Sequence, residues 1–255
     1  MLPLLKTNRG SEVAIDTRPW ASDGSSSYEV TCIAPCPADI VHESVQLQGL
    51  LKIMTKGVSF DEPVERFILG QCGGVDGRGN PLSLALAIRW NGVKVLLGGD
   101  VECPESEPHR GWSGILETLA LPHQNRLHLI QGLQMVKVAH HGSKGAFSQE
   151  AWTHHAAGGA VDVVVATPFK GSDDKPPHEV TFRALLEFAR RVVLTAEPSS
   201  TSGWDRVTSA GWASAPGLCM RGDGAWVAVS FDAVSAPVVT LGRGGAAFTP
   251  AAITV

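Results

Sequence analysis

Two adjacent imidazoles and one carboxylate are the groups in this chain best suited to bond-making chemistry. His140 and His141 close the run Leu133 to Ser143, Leu-Gln-Met-Val-Lys-Val-Ala-His-His-Gly-Ser, and Asp100 lies near the end of Val93 to Glu102, Val-Lys-Val-Leu-Leu-Gly-Gly-Asp-Val-Glu. Both runs start apolar and β-branched, the mark of a buried strand, and finish on glycine and polar side chains. If the two strands share a sheet, an acid and an imidazole meet at matching edges, and aspartate with neutral histidine suits zinc or a similar divalent ion. Side chains alternate along a strand, so His140 and His141 are expected on opposite faces, with one of them a ligand and the choice between them open. The plainer alternatives are a turn carboxylate at Asp100 that caps the next segment and a histidine pair hydrogen-bonded to backbone.

Such groups need a scaffold, and the patterning predicts one. Tyr28 to Ala34 reads as a strand; Cys36-Pro37 then opens a helix running to about Lys56, with proline at its first position and Val41, Val45, Leu50, Leu51 and Met54 facing a sheet. Leu82, Leu84, Leu86 and Ile88 alternate, Asn91-Gly92 is a two-residue turn, and Val93 to Leu97 returns as the second strand of a hairpin. Gly98-Gly99 allows close chain approach just before Asp100. Gly111 to Leu121 predicts a helix carrying Trp112, Ile115, Leu116 and Leu119. Ala160 to Thr167 predicts a buried strand, Pro168 to Pro177 a loop, and His178 to Arg191 a helix with Phe182, Leu185, Leu186 and Ala189 inward. Val192 to Thr195, Ala225 to Phe231 and Val238 to Leu241 complete the strands. Gln71 to Asn80 is glycine-rich but lacks the spacing of a dinucleotide fingerprint or a P-loop. Arg221-Gly222-Asp223 reads as a hairpin turn, Glu102 as a solvated or capping residue, and His154-His155 as a surface helix end whose protonated rings favour the last carbonyls.

At 255 residues the chain suits one large domain: an irregular polar segment over 1–27, then a domain over 28–255. Hydrophobic residues at 44% and charged residues at 18% are ordinary for a folded α+β protein, and a net charge of -4 gives no general electrostatic pull toward nucleic acid. No apolar run approaches the roughly 20 residues of a membrane helix. Five cysteines, Cys32, Cys36, Cys72, Cys103 and Cys219, lack Cys-x-x-Cys spacing, so neither a disulfide framework nor a zinc ribbon is signalled and a cytoplasmic setting is expected. Cys32 and Cys36 are the pair close enough in sequence to bond or ligate together, although the prolines beside them favour loop and helix-entry roles.

Asn80 and Ser83 before the hairpin, Leu96-Leu97-Gly98-Gly99-Asp100 with Glu102, Val136-Lys137-Val138-Ala139-His140-His141-Gly142-Ser143, and Thr167-Pro168-Phe169 follow one another in an order that resembles the metallo-β-lactamase superfamily, in the branch similar to the C-terminal domain of the DNA-uptake channel protein ComEC. The resemblance covers roughly Tyr28 to Phe231. It implies an αββα sandwich, incomplete here on its N-terminal side, with a metal site at one edge. Asp100 would bridge two zinc or manganese ions; His141, the histidine before glycine, would ligate one, and His140 would be a neighbour or proton carrier. Ser143, Lys144, Lys170 and His178 are weaker candidates for a substrate side: the single lysines could meet a phosphate but are usually only solvated, and where the family has Gly-His-Pro this chain reads Asp174-Lys175-Pro176 with His178 displaced.

One departure bears on function. The family's upstream His-x-His-x-Asp-His is absent, and His42, His109, His123 and His128 do not replace it. A catalytic zinc takes about three protein ligands and a water, and Asp100 with one histidine falls short. The expectation is therefore a phosphodiesterase- or nuclease-like hydrolase whose missing ligands come from a complementary polypeptide or missing segment, acting on a phosphodiester or other ester, with nucleic acid one candidate substrate. The alternative from another class is a scaffold without chemistry that serves as a binding or regulatory subunit. A weaker third reading is a single ion held by Asp100, His141 and a residue not foreseen.

Overall fold

The computed structural model describes residues 21–22, 28–45, 80, 82–104, 107–169, 176–195, 227–231, 237–241 and 246–248. Ten strands lie in these stretches: β1 (Ala21–Ser22), β2 (Tyr28–Ala34), β3 (Ala85–Trp90), β4 (Val93–Leu97), β5 (Met135–Lys137), β6 (Val163–Ala166), β7 (Val192–Leu194), β8 (Val227–Ser230), β9 (Val238–Leu241) and β10 (Ala246–Phe248). Helix α1 covers 37–45, α2 Gly111–Ala120, α3 Gln149–His155 and α4 Glu179–Phe188. The fold is mixed α+β. Eight strands form one sheet in the order β1-β2-β3-β4-β5-β6-β7-β10, while β8 and β9 pair separately.

The order explains the layering. Strands β4 to β7 are parallel and successive neighbours, each joined to the next through a helix. Crossovers between parallel strands are right-handed, so a strand order that never reverses keeps α2, α3 and α4 on one face. That face holds the main core: Leu96, Val136, Val164 and Val192 from the strands meet Trp112, Ile115, Leu119, Trp152, Phe182 and Leu185 from the helices. The opposite face of β6 and β7, carrying Val163, Val165 and Val193, packs with Val227, Val229 and Val239 of the β8–β9 pair. Strand β6, buried on both faces, reads accordingly as an unbroken apolar run.

Local chemistry sets the ends. Asn91 and Gly92 take φ values of 46° and 84°, the doubly positive turn that suits a two-residue hairpin between β3 and β4. Helix α3 starts where Ser148 Oγ accepts from the Ala151 N–H at 3.2 Å, and α4 where His178 Nδ1 accepts from the Val180 N–H at 3.4 Å. Pro37 is the first residue of α1, as its chemistry predicts. The expected apolar face of that helix is corrected: Val41 and Val45 are exposed, whereas Asp39 and Glu43 are buried. Asp39 decides the rotation, because its carboxylate accepts from the N–H groups of Cys36 and Gly111 and from Arg110 Nε at 3.1 Å, tying the start of α1 to the start of α2. The expected continuation of α1 to Lys56, the glycine-rich 71–79, the 199–203 loop, the Arg221-Gly222-Asp223 turn and most of the 1–27 segment lie outside the described residues. Cys32, Cys36 and Cys103 are free thiols, so Cys32 and Cys36 do not pair. Among the described residues no helix is long and apolar enough to cross a membrane.

The surface role expected of His155 is overturned. It is 1% exposed, wedged edge-on between Trp112 and Trp152, with its Nδ1 3.1 Å from the Ile130 carbonyl oxygen. A carbonyl only accepts, so Nδ1 carries the proton. Burial pushes its pKa down to about 4, and the bond to Ile130 only partly offsets this. Between that value and the ordinary unfolded value near 6.5 the unfolded chain binds the extra proton, so stability is full above about pH 6.5 and falls as pH drops toward 4. Urea unfolding of the wild type against His155→Gln should show up to roughly 3 kcal/mol more acid-dependent loss in the wild type over that window. Parallel pH profiles for the two chains would contradict a neutral buried imidazole.

Candidate functional site

Because β4, β5 and β6 run parallel, the chain leaves all three at one edge of the sheet. Asp100 and Glu102 follow β4, His140 to Ser143 follow β5, and Thr167 to Phe169 follow β6. Ligand sites in sheets with parallel strands favour this carboxyl edge.

The segments are stitched by backbone. Gly98 N–H donates to the Lys137 carbonyl at 3.0 Å, His140 N–H to the Gly99 carbonyl at 2.9 Å, and Val138 N–H to the Val165 carbonyl at 2.9 Å. Both glycines are required. A Cβ on Gly98 would lie 2.9 Å from Ala139 N, and one on Gly99, where φ is +57°, would lie 2.1 Å from the Leu84 carbonyl oxygen. Ser83 adds a side-chain tie: its Oγ accepts from the Asp100 N–H at 2.7 Å.

The histidines are not on a strand, which corrects the expected alternation. Strand β5 stops at Lys137, and His140 and His141 have φ of 40° and 56°, followed by Gly142 at 84°. Non-glycine residues pay a steric cost for such values, and a run of them persists only where neighbours hold it. Both rings are held. His141 Nδ1 lies 2.7 Å from the Thr167 carbonyl oxygen and 3.0 Å from Thr167 Oγ1. The carbonyl can only accept, so Nδ1 carries a proton, and in the neutral ring it is Nε2 that keeps the lone pair. Phe169 stacks on the same ring with centroids 5.1 Å apart.

His140 Nδ1 instead lies directly against Glu102 Oε1, which corrects the reading of Glu102 as solvated or merely capping. Glu102 holds the imidazole proton above its ordinary range; burial and Lys137 oppose this, and Asp100 adds to it. The two rings thus meet different acceptors, His141 a carbonyl oxygen and His140 a carboxylate that raises its pKa. Lys137 also belongs to this field: burial pushes its ammonium pKa down while Asp100 pulls it back up. Glu102 and Lys137 were missed as partners; Glu102, two residues after Asp100, was the visible signal.

The other predicted residues fall elsewhere. Ser143 is buried and lines a small pocket behind the turn. Lys144 is exposed in the next turn. His178 caps α4, and its N–H donates to the Gly142 carbonyl at 3.2 Å. Lys170 lies outside the described residues. His42 sits 3.4 Å from Glu107, and His109 2.9 Å from Glu117. Among the described residues no three His, Cys, Asp or Glu side chains converge to hold a metal ion, so Asp100 and the histidine pair are at most part of a ligand set. Comparison of the chain with protein-family models, curated proteins and solved structures returns no match.

Two outcomes follow. Gly99→Ala should cost at least about 1–2 kcal/mol in urea unfolding from the left-handed backbone alone, and a neutral result would contradict the close approach to Leu84. Glu102→Gln should lower the His140 titration midpoint seen by NMR. The stabilisation from a raised histidine pKa is full below the unfolded value near 6.5 and is lost as pH rises through the folded value, so the stability gap between wild type and variant should close in that direction. An unmoved midpoint would rule out the Glu102–His140 contact as its cause.

Proposed function

We propose that this edge is part of the centre of a metal-dependent hydrolase of the metallo-β-lactamase type, phosphodiesterase- or nuclease-like, which works when another chain or segment supplies the remaining donors. The observation that carries the reading is the fixed tautomer of His141: with Nδ1 tied to Thr167, Nε2 is set as a donor beside a strand end that delivers Asp100. Histidines that bind metals are commonly oriented in this way, through the other ring nitrogen. Zinc or manganese, two ions in a completed site, would make water acidic enough to attack an ester near neutral pH.

The residues of this chain divide the remaining work. Asp100, anchored through Ser83, supplies a carboxylate, and His141 supplies the Nε2 lone pair of its neutral form. His140, whose pKa Glu102 raises, is suited to give a proton to a departing oxygen rather than to ligate. Lys144, exposed just beyond the turn, is available to a substrate phosphate. Nucleic acid is the substrate class this reading favours.

A second reading is a binding or regulatory subunit that uses the scaffold alone. The Glu102–His140 pair favours it in one respect, because it sets a carboxylate against the imidazole without any metal. Elemental analysis of the chain alone and together with a polypeptide carrying His-x-His-x-Asp-His separates the two. The hydrolase reading predicts metal retained by the combination and affinity reduced at least about tenfold by Asp100→Ala or His141→Ala. Equal, empty preparations, with partner binding unaffected by Asp100→Ala, would establish the subunit instead.

A further inference from the structure

Behind the histidine turn the chain folds inward. Ser143 is 8% exposed, and its Oγ is sealed from solvent with no hydrogen-bond partner in the protein. It opens on a cavity of about 10 Å³ whose walls include Val136, Val138, Trp112, Thr181 and His155. A space of that order is the least that admits one water, and a water persists in it only where polar groups receive it. Three polar side chains line this one. Ser143 brings a hydroxyl that can donate or accept, Thr181 a second hydroxyl, and His155 an imidazole whose Nδ1 proton is already committed to Ile130, which leaves Nε2 as an acceptor. A buried hydroxyl without a partner is uncommon in folded proteins, and an unseen water is the ordinary explanation.

We propose that the cavity is a binding site for a single water molecule, held by Ser143 Oγ together with the His155 and Thr181 side chains, which fixes the inner side of the His140–His141 turn. The outer side is already held: Pro177 leaves no room for a Cβ at Gly142, 2.9 Å away, and the His178 N–H donates to the Gly142 carbonyl. Ser143 acts in this arrangement as a positioning residue for the turn, whatever chemistry the turn performs.

The sign of one substitution tests the claim. In a dry cavity Ser143→Ala removes an unpaired hydroxyl and should leave Tm unchanged or raise it; in a wet one it strips the water of a partner and should lower Tm by about 2 to 4 °C. A fall is expected, and an unchanged or raised Tm overturns the proposal. Should Ser143→Ala fail to fold, a crystal structure of the unaltered chain at about 1.5 Å decides: ordered density within about 2.7–3.0 Å of Ser143 Oγ supports the site. An empty cavity, or an Oγ turned onto a protein acceptor, overturns it.

Discussion

The approach of the Gly98-Gly99 backbone to the end of β5 is the constraint on which the rest of this molecule's chemistry depends. Two bonds, Gly98 N–H to Lys137 O and His140 N–H to Gly99 O, carry the parallel ladder past the last paired strand residues. They form only because neither glycine has a Cβ to strike Ala139 or Leu84. With the strand ends joined in this way, Asp100 and the histidine pair must leave the sheet side by side, and nothing further along either loop can slide one against the other.

From that constraint the turn inherits its shape. Three successive residues with positive φ reverse the chain within the space between the end of β5 and the start of α4. Two of the three are histidines, for which this backbone is costly, and the cost is offset where the rings find acceptors. The kind of acceptor sets the state of each ring. A carbonyl oxygen, at Thr167, fixes which nitrogen of the neutral ring carries the proton; a carboxylate, at Glu102, raises the pKa of the ring it meets. Adjacent residues of one type thus come to have different capacities: lone-pair donation at His141 and proton storage at His140.

Much of the scaffold was legible in the sequence because its signals were local. The bounds of Tyr28–Ala34 and Val93–Leu97, the Asn91-Gly92 turn and the inward residues of α2 and α4 follow from periodicity and turn chemistry alone. The misreadings have a common physical origin, since each concerns a polar residue whose environment is assembled by distant parts of the chain. Asp39 turns α1 away from its apolar pattern because Arg110 and Gly111, some 70 residues on, need its oxygens. His155 is polar and ends a helix, yet Trp112 and the Ile130 carbonyl enclose it. His140 and His141 follow an apolar run, and strand alternation fails for them because the strand has already ended.

The central claim is that different acceptors hold the two histidines, so that the neutral His141 ring carries its proton on Nδ1 and offers Nε2, while Glu102 raises the pKa of His140. Nitrogen-15 NMR of the imidazole rings near neutral pH tests this directly, because the shifts of Nδ1 and Nε2 distinguish both neutral tautomers and the cation. The account predicts that His141, in its neutral form, is protonated at Nδ1 and that His140 titrates above the ordinary histidine value. A neutral His141 ring protonated at Nε2, or a His140 midpoint at or below the ordinary value of about 6.5, would contradict it.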